Sequence, residues 1–471
     1  VKILLIYPRT KHIRIPPPSW VPLGLSFMAS VLEQRGHTVS IFDRAASQAR
    51  LGLDKQKVNA AMMEEVRRFN PDLIGLNTVS PLIYDTMECV ALLRRQHSGP
   101  IVAGGHHASA LPELTLQKIK GLTGAVQGEG EPALLALADG QSPSRIPGLW
   151  WRNGDSISHN PPQQISNLDN LPFPAYHLLD MSFYTRSNVL TFRGRYLSSI
   201  SMLTSRGCPK MCSFCSESST YGRGVRFHSP EYVVDWVRST LNEYPIQGIY
   251  FHDNDFLIDR QRAIEICNDF IRHGFNKRLR WAIQARSDNI DLDILELLKQ
   301  AGCSLIEIGV ETSVQEELNS INKMNTTYKN EAAIKMCRKV GIAVHSYMLS
   351  SLAGETLDNL KQNIDWLQEI KSDTVSVHDL ALYPGTRLYQ EHGQMFFEKN
   401  EWSEENIISF YNSRNLSTIS EDERRYWMRK HYLPYNRRRR WLAILRSNSP
   451  VSLVSLVYDD IKRLHLQHRT K

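Results

Sequence analysis

Cys208, Cys212 and Cys215 fall within eight residues, in the run RGCPKMCSFC from Arg206 to Cys215. Three thiolates at i, i+4 and i+7 on one loop suit three irons of a [4Fe–4S] cube, and the fourth iron is then left open to a small ligand. A structural zinc site is the alternative. Zinc wants a fourth Cys or His, however, and C-x3-C-x2-C is not the paired C-x2-C knuckle. The other cysteines, Cys89, Cys267, Cys303 and Cys337, stand alone in segments with helical or strand-like patterns. There a thiol behaves as a small buried hydrophobe. Seven cysteines, three of them crowded into eight residues, make no disulfide framework and point to a reducing compartment, so the cytoplasm is the expected location.

The loop must be held by larger elements. A chain of 471 residues implies two to four domains, and 42% apolar with 22% charged residues is globular rather than disordered composition. No apolar run reaches the roughly 18 residues that cross a bilayer. Residues 1–7 are too short and poorly flanked for a signal peptide and read as a buried strand. Within 1–140, strands near 1–7, 38–42, 72–77, 100–103 and 124–127 alternate with amphipathic helices, which predicts a Rossmann-like, doubly wound parallel sheet. Ligands bind outside the carboxyl ends of such strands. Those ends are Pro8 and residues 78–81, 104–107 and 128–131.

Residues 141–193 read as a linker with a small hairpin around Trp150 and Trp151. A second alternation fills 194–390, with strands at 198–203, 248–252, 280–284, 304–309, 343–349 and 374–382 and helices between them. Six units predict a partial (β/α)6 barrel of the TIM type, since eight would close it. Residues 391–471 read as a helical region. Between 421 and 471 there are 13 Lys and Arg against 5 Asp and Glu, so this end carries the positive charge of a chain whose net charge is only +7.

At the cysteine loop the sequence resembles the radical S-adenosylmethionine (SAM) enzymes, with Phe214 as their aromatic residue before the last cysteine. The resemblance implies that the open iron chelates the amino and carboxylate groups of SAM and that reductive cleavage yields a 5′-deoxyadenosyl radical. It covers the barrel. HDNDF at 252–256 places Asp253 and Asp255 near the ligand's amino group and ribose. Arg286 matches the position that meets the ligand carboxylate, and Glu311 lies in the G-x-E segment at 309–311. Lys323, Gly354-Glu355 and Pro384-Gly-Thr386 are further matches. Each has a plainer reading. Arg286 alone would be a solvated strand-end charge, Asp253 and Asp255 could cap a helix near Asp259, and Pro384-Gly385 is a turn signal. The ordered series at strand ends favours the functional reading.

The first domain narrows the resemblance to the cobalamin-binding group, the class B methyltransferases. Methylthiotransferases carry three further cysteines in this domain, and here there is only Cys89. Pro17 and Pro22-Leu-Gly24 resemble the group's opening motif, GGHHAS from Gly104 its glycine–histidine loop, and GEGE from Gly128 its acidic loop. Gly104, Gly105, His106, Gly128, Glu129 and Gly130 are thus assigned to cobalamin, with Ser80 over the corrin plane. Paired glycines let backbone approach a bulky ring and its phosphate-bearing tail. The plainer reading is a Rossmann-like fold with tight turns and no cofactor. D-x-H-x-x-G, which supplies a histidine to cobalt in many cobalamin domains, is absent, so no lower ligand is expected from that motif.

The resemblance implies a C-methyltransferase: one SAM methylates cob(I)alamin, a second yields the radical, and a substrate radical takes the methyl group. Relatives with these motifs also carry out cyclisation, oxidation and ring rearrangement, so a non-methylating enzyme is the alternative, and an iron–sulfur electron-transfer protein is the second. Tyr383, His345 and His378 end or line late strands. Each is read first as a core residue and second as a group facing substrate, with Tyr383 the candidate catalytic one. The expected partners are a small-molecule or lipid-like substrate and an external one-electron reductant of flavodoxin or ferredoxin type. No nucleic acid is expected, because no recognised module accompanies the charge. The basic run 437–440 and the amphipathic stretch 451–466 fit a helix docked on the barrel, with peripheral contact to an anionic membrane as the second reading.

Overall fold

The computed structural model describes residues 1–9, 20–52, 54–193, 195–393, 396–412 and 415–446. Pro17 and the 451–466 stretch lie outside them. The described chain divides into two compact units. One contains Val1–Phe183, Thr204–Tyr232 and the described part of Ala381–Arg414; the other contains Tyr184–Leu203, Val233–Leu380 and the described residues from Asn415.

The first unit is built on a seven-stranded sheet. In spatial order its strands are Thr38–Asp43, Lys2–Tyr7, Leu73–Asn77, Ile101–Gly104, Gly124–Val126, Leu149–Asn153 and Ser156–His159. The first five are parallel and the last two antiparallel. Ile3, Leu4, Leu5 and Ile6 are all fully buried. Helices on both faces of a parallel sheet explain why this strand reads as one unbroken apolar run. The winding reverses between the first and third strands in sequence, which opens a crevice beyond their carboxyl ends. The hairpin anticipated around Trp150 continues this sheet, because Leu149 pairs with Val126.

A buried ion cluster lies just after the first two strands. Arg44 grips Asp85 through Nε at 2.9 Å and a terminal nitrogen at 2.8 Å. The backbone N–H of Arg9 donates to the same carboxylate at 2.6 Å. Arg44 and Asp85 are wholly inaccessible. The cluster joins the residues that follow the first two strands to the helix Ile83–Leu93.

The second unit carries six parallel strands in sequential order: Ser199–Met202, Gly248–Phe251, Arg280–Ala285, Cys303–Glu311, Ala343–Ser350 and Thr374–Asp379. Helices Arg260–Arg272, Leu292–Gln300, Thr327–Val340 and Leu357–Ile370 follow strands two to five. Asp259, Asp291, Thr326 and Thr356 cap them by accepting backbone N–H bonds. Ile306, Ile308 and Val310 point to the helices and are fully buried, so the alternate residues Glu307, Gly309 and Glu311 face the barrel interior. This is the expected partial barrel. The sixth strand ends at Asp379, three residues before the sequence pattern suggested.

In the basic region, helix Leu433–Arg446 docks on the second unit. Arg439 donates to the carbonyls of Ser372 and Lys371, both at 2.7 Å, just beyond the helix Leu357–Ile370. Arg424 pairs with Asp379. Part of the positive charge is therefore spent inside the unit, whereas the docked reading leaves the charged side solvated. Among the described residues no helix is long and apolar enough to cross a membrane.

Asp85→Ala would leave Arg44 buried without its carboxylate. We expect a loss of about 3–5 kcal/mol, read from urea denaturation of the full chain, whereas a surface change such as Arg67→Ala should move the transition very little.

Candidate functional site

The cysteine loop is closed at its base by a two-residue ribbon in which Ser205 pairs with Phe227 and Arg206 with Arg226. Gly207 turns the chain into the loop at φ +89°, where an added Cβ would sit 2.4 Å from the carbonyl oxygen of Gly224. A side chain has no room there. Within the loop the N–H of Cys215 donates to the carbonyl of Cys212 at 3.1 Å. The carbonyl of the buried Ser213 accepts from Leu388 at 3.0 Å. Phe214 is half-buried. None of the three loop cysteines is in a disulfide, and Cys215 keeps an exposed edge. The Cys215 thiol is pushed up to about 11, first by desolvation within the loop and then by the fields of Glu217, Cys212 and Cys208. A thiol held up in this way needs a cationic centre to become a thiolate. Among the described residues no three His, Cys, Asp or Glu side chains gather as tightly as a single ion requires. A cube makes no such demand, because its irons occupy separate corners.

Immediately before the loop, Arg206 is buried between two carboxylates. One terminal nitrogen donates to Glu129 Oε1 at 2.7 Å and the other to Glu131 Oε1 at 2.6 Å. Arg226 donates to Glu129 Oε2 at 2.7 Å, and the N–H of Ile165 donates to the same oxygen at 2.7 Å. The acidic loop after the fifth strand is thereby fixed to the cysteine loop. The glycine–histidine loop is also tied to it, through a 2.8 Å hydrogen bond between His106 Nδ1 and Thr220 Oγ1. Gly105, at φ +100°, lets the chain pass where a Cβ would lie 2.8 Å from the carbonyl oxygen of Thr78. A Cβ on Gly104 would meet nothing within 4 Å. Gly128 donates its N–H to Ser109 Oγ at 3.0 Å, and Gly130 opens the helix Gly130–Ala138. Ser80 is buried and shares a 2.9 Å hydrogen bond with His107 Nδ1. Burial pulls His107 down to about 3, so its imidazole is neutral at ordinary pH.

The second unit gathers its own polar groups at the carboxyl ends of its strands. Asp253 is fully buried. Asp255 Oδ1 accepts from the N–H groups of Leu257 and Arg286, both at 3.3 Å, and Oδ2 accepts from Asn289 Nδ2 at 2.6 Å. Neither aspartate caps the helix that follows, because Asp259 does so itself. Burial raises the Asp255 carboxyl to about 6 despite these donors. Arg286 makes a fork with Asp288 at 2.9 and 3.1 Å and also donates to the carbonyls of Lys323 and Met324. Its solvated reading does not hold: it is 6% exposed. Glu311 sits at φ +67° after a register shift in its strand and accepts from Lys323 Nζ at 2.6 Å. A Cβ on Gly309 would lie 2.6 Å from that carboxylate oxygen. A non-glycine residue in the left-handed region costs of order 1–3 kcal/mol, a strain that concentrates at functional sites.

Comparison with known proteins agrees with this geometry. The Radical SAM superfamily model matches residues 202–367 and the B12 binding domain model residues 16–138. In sequence, a B12 binding domain thus precedes a radical SAM domain. An uncharacterized methyltransferase of Pyrococcus horikoshii is 28% identical over 398 residues, covering 83% of each chain. Anaerobic magnesium-protoporphyrin IX monomethyl ester cyclase of Cereibacter sphaeroides is 25% identical over 466 residues, 94% of this chain and 73% of the cyclase. In fold, the chain is similar to the radical SAM methyltransferase TsrM from Kitasatospora setae, solved with cobalamin and a [4Fe–4S] cluster bound. The TM-score is 0.67 at 22% identity, over 84% of this chain and 75% of that one.

This radical SAM enzyme therefore uses a [4Fe–4S] cluster, SAM and cobalamin. Three thiols from one loop, with Arg206 locked behind them, fit the cluster. Of the residues singled out in the sequence, the cysteines, Phe214, Tyr383, Ser80 and the glycine loops lie in the first unit, and Asp253, Asp255, Arg286 and Glu311 lie in the second. Tyr383 is 37% exposed, with its ring 5.6 Å from that of Tyr411. His345 is a core residue, sharing a 2.8 Å hydrogen bond with Thr374 Oγ1. His378 stands 6.2 Å, ring to ring, from Tyr347.

Sequence reasoning missed a buried polar plug in the barrel. Glu307 accepts from Arg193 Nε at 2.9 Å, from the hydroxyl of Tyr250 at 2.7 Å and from that of Tyr347. Gln284 Nε2 donates to the Tyr250 hydroxyl at 3.0 Å. The signal in the sequence was a glutamate set between Leu305-Ile306 and Ile308 in the middle of a strand.

Asp255 allows a test of pH dependence. The folded chain holds this proton more tightly than the unfolded chain, whose carboxyl titrates near the ordinary value of about 4. Its burial therefore costs nothing below that pH and progressively more as pH rises through 6. The fall in Tm between pH 5 and pH 8 should be smaller for Asp255→Asn than for the parent. Equal falls would show that Asp255 ionises freely.

Proposed function

We propose that this enzyme methylates a carbon atom of a small biosynthetic intermediate by cobalamin-dependent radical SAM chemistry. The carrying observation is that the cysteine loop and both loops ascribed to cobalamin are packed in one unit, joined by Arg206, Glu129, Glu131, His106 and Thr220. An arrangement that fixes two reacting centres relative to each other favours transfer between them. When bound, the cluster with SAM supplies a carbon-based radical, and cobalamin supplies a methyl group.

The chain's own residues bind and orient. Cys208, Cys212 and Cys215 hold three irons. Phe214, Asp253, Asp255, Arg286 and Glu311 are the groups we assign to SAM, Glu311 with its position set by Lys323. Ser80, Gly104, Gly105, His106, Gly128, Glu129 and Gly130 form the loops we assign to cobalamin. Of these, Glu129 acts through its arginines, because both of its oxygens are already engaged. Tyr383, partly exposed, is the group we assign to substrate. The electron comes from a flavodoxin- or ferredoxin-type carrier, and a cluster of cysteines outside any disulfide supports a cytoplasmic setting for the reaction.

A second reading, ring closure without methylation, draws support from the cyclase relative, which aligns over 94% of this chain. Product analysis separates the two. With SAM, cobalamin and reductant under anaerobic conditions, methylation leaves S-adenosylhomocysteine beside 5′-deoxyadenosine, and a cyclase leaves only the latter. Cys212→Ala should lose the iron, about four per chain, together with all 5′-deoxyadenosine formation. Retained turnover in that variant would defeat the cluster assignment.

A further inference from the structure

Arg206 stands two residues before the first cluster cysteine, and its guanidinium is the buried link between that loop and the acidic loop. Arg206, Glu129 and Glu131 are 4, 6 and 5% exposed. The fork is further confined by rings on two sides, Phe27 at 5.5 Å and Tyr221 at 5.8 Å. Arg226, on the returning strand of the ribbon, completes a four-residue set with two positive and two negative charges. A buried ionic set of this kind tolerates little displacement, because moving one member strands a charge away from water. Gly128 and Gly130 flank Glu129, so the carboxylates fix a segment that has little side-chain bulk of its own to anchor it. The His106–Thr220 bond ties the second such loop to the short helix at the far end of the cysteine run.

We infer that the Arg206–Glu129–Glu131 set couples cluster assembly to corrinoid binding, so that each tightens the other. The inference rests on the proposed assignment of the 104–106 and 128–130 loops to cobalamin. Irons on Cys208 fix the backbone two residues from Arg206. The fixed fork holds Glu129 and Glu131, and with them the loop that meets the corrinoid. A corrinoid settled on that loop favours the same arrangement from the other side, as linkage requires. Arg206, Glu129 and Glu131 are positioning residues in this scheme and need touch neither cofactor.

The test is the dissociation constant of hydroxocobalamin for the full chain, measured by absorbance titration on iron-free and on anaerobically reconstituted protein. Reconstitution should tighten binding about 10-fold in the parent, and addition of hydroxocobalamin should change the EPR spectrum of the reduced cluster. In Glu131→Gln, which keeps shape but removes charge, the tightening should fall to within about twofold and the spectral change should vanish while iron content stays at the parent level. Arg206→Lys, which keeps charge but loses the fork, should behave in the same way. A parent chain that binds both groups without tightening, or either iron-loaded variant that retains the full effect, overturns the coupling. A parent chain that binds no hydroxocobalamin at all overturns the loop assignment beneath it instead.

Discussion

A guanidinium enclosed by two carboxylates is the constraint around which the first unit is arranged. Each of these charges would be costly to bury alone. Arg206 is acceptable in the interior because Glu129 and Glu131 meet its two terminal nitrogens, and Glu129 because Arg226 and the N–H of Ile165 occupy its other oxygen. The three segments that supply these groups are distant in sequence, yet they have few positions in which every charge is met. A short loop that carries three thiols gains a fixed base by this means.

The two sheets solve a shared problem in different ways. Parallel strands expose useful backbone and side chains only at their ends, so both units place their special residues after the strands and fill the middles with aliphatic packing. In the first unit the ends are held by glycine turns and by Arg44 on Asp85. In the second they are held by side chains that answer one another: Asp255 with Asn289, Arg286 with Asp288, Glu311 with Lys323. Within the second unit one buried carboxylate interrupts that packing, Glu307, which the hydroxyls of Tyr250 and Tyr347 meet.

Much of this was legible in the residues. Apolar runs broken by turn signals located all six barrel strands to within a few positions, because strands buried on both faces have little sequence freedom. The cysteine spacing favoured an iron–sulfur cluster over zinc, and the radical SAM match is in keeping with that. Partnership between charges far apart in sequence was not legible: nothing in Arg206 or Glu131 taken singly marks them as mates, and Asp85 looks like any first-turn acid of a helix. Assignment of segments to units was also hidden. Residues 204–232 follow the first barrel strand but pack with the first unit, and so does the described part of Ala381–Arg414. Local periodicity carries no information about which distant surface a loop will meet. The basic tail misled for a related reason, since Arg439 serves as a buried donor to two carbonyls rather than as surface charge.

The hairpin that closes the first sheet has a colloidal consequence. A parallel sheet that stopped at the three residues Gly124–Val126 would present a bare row of amides and carbonyls to any neighbouring molecule. Instead the chain folds back twice and finishes on Ser156–His159, four residues with exposed ends and a histidine stacked on Trp150. So short and polar a border offers a poor template for another strand, and molecules crowded together gain little by zipping along it.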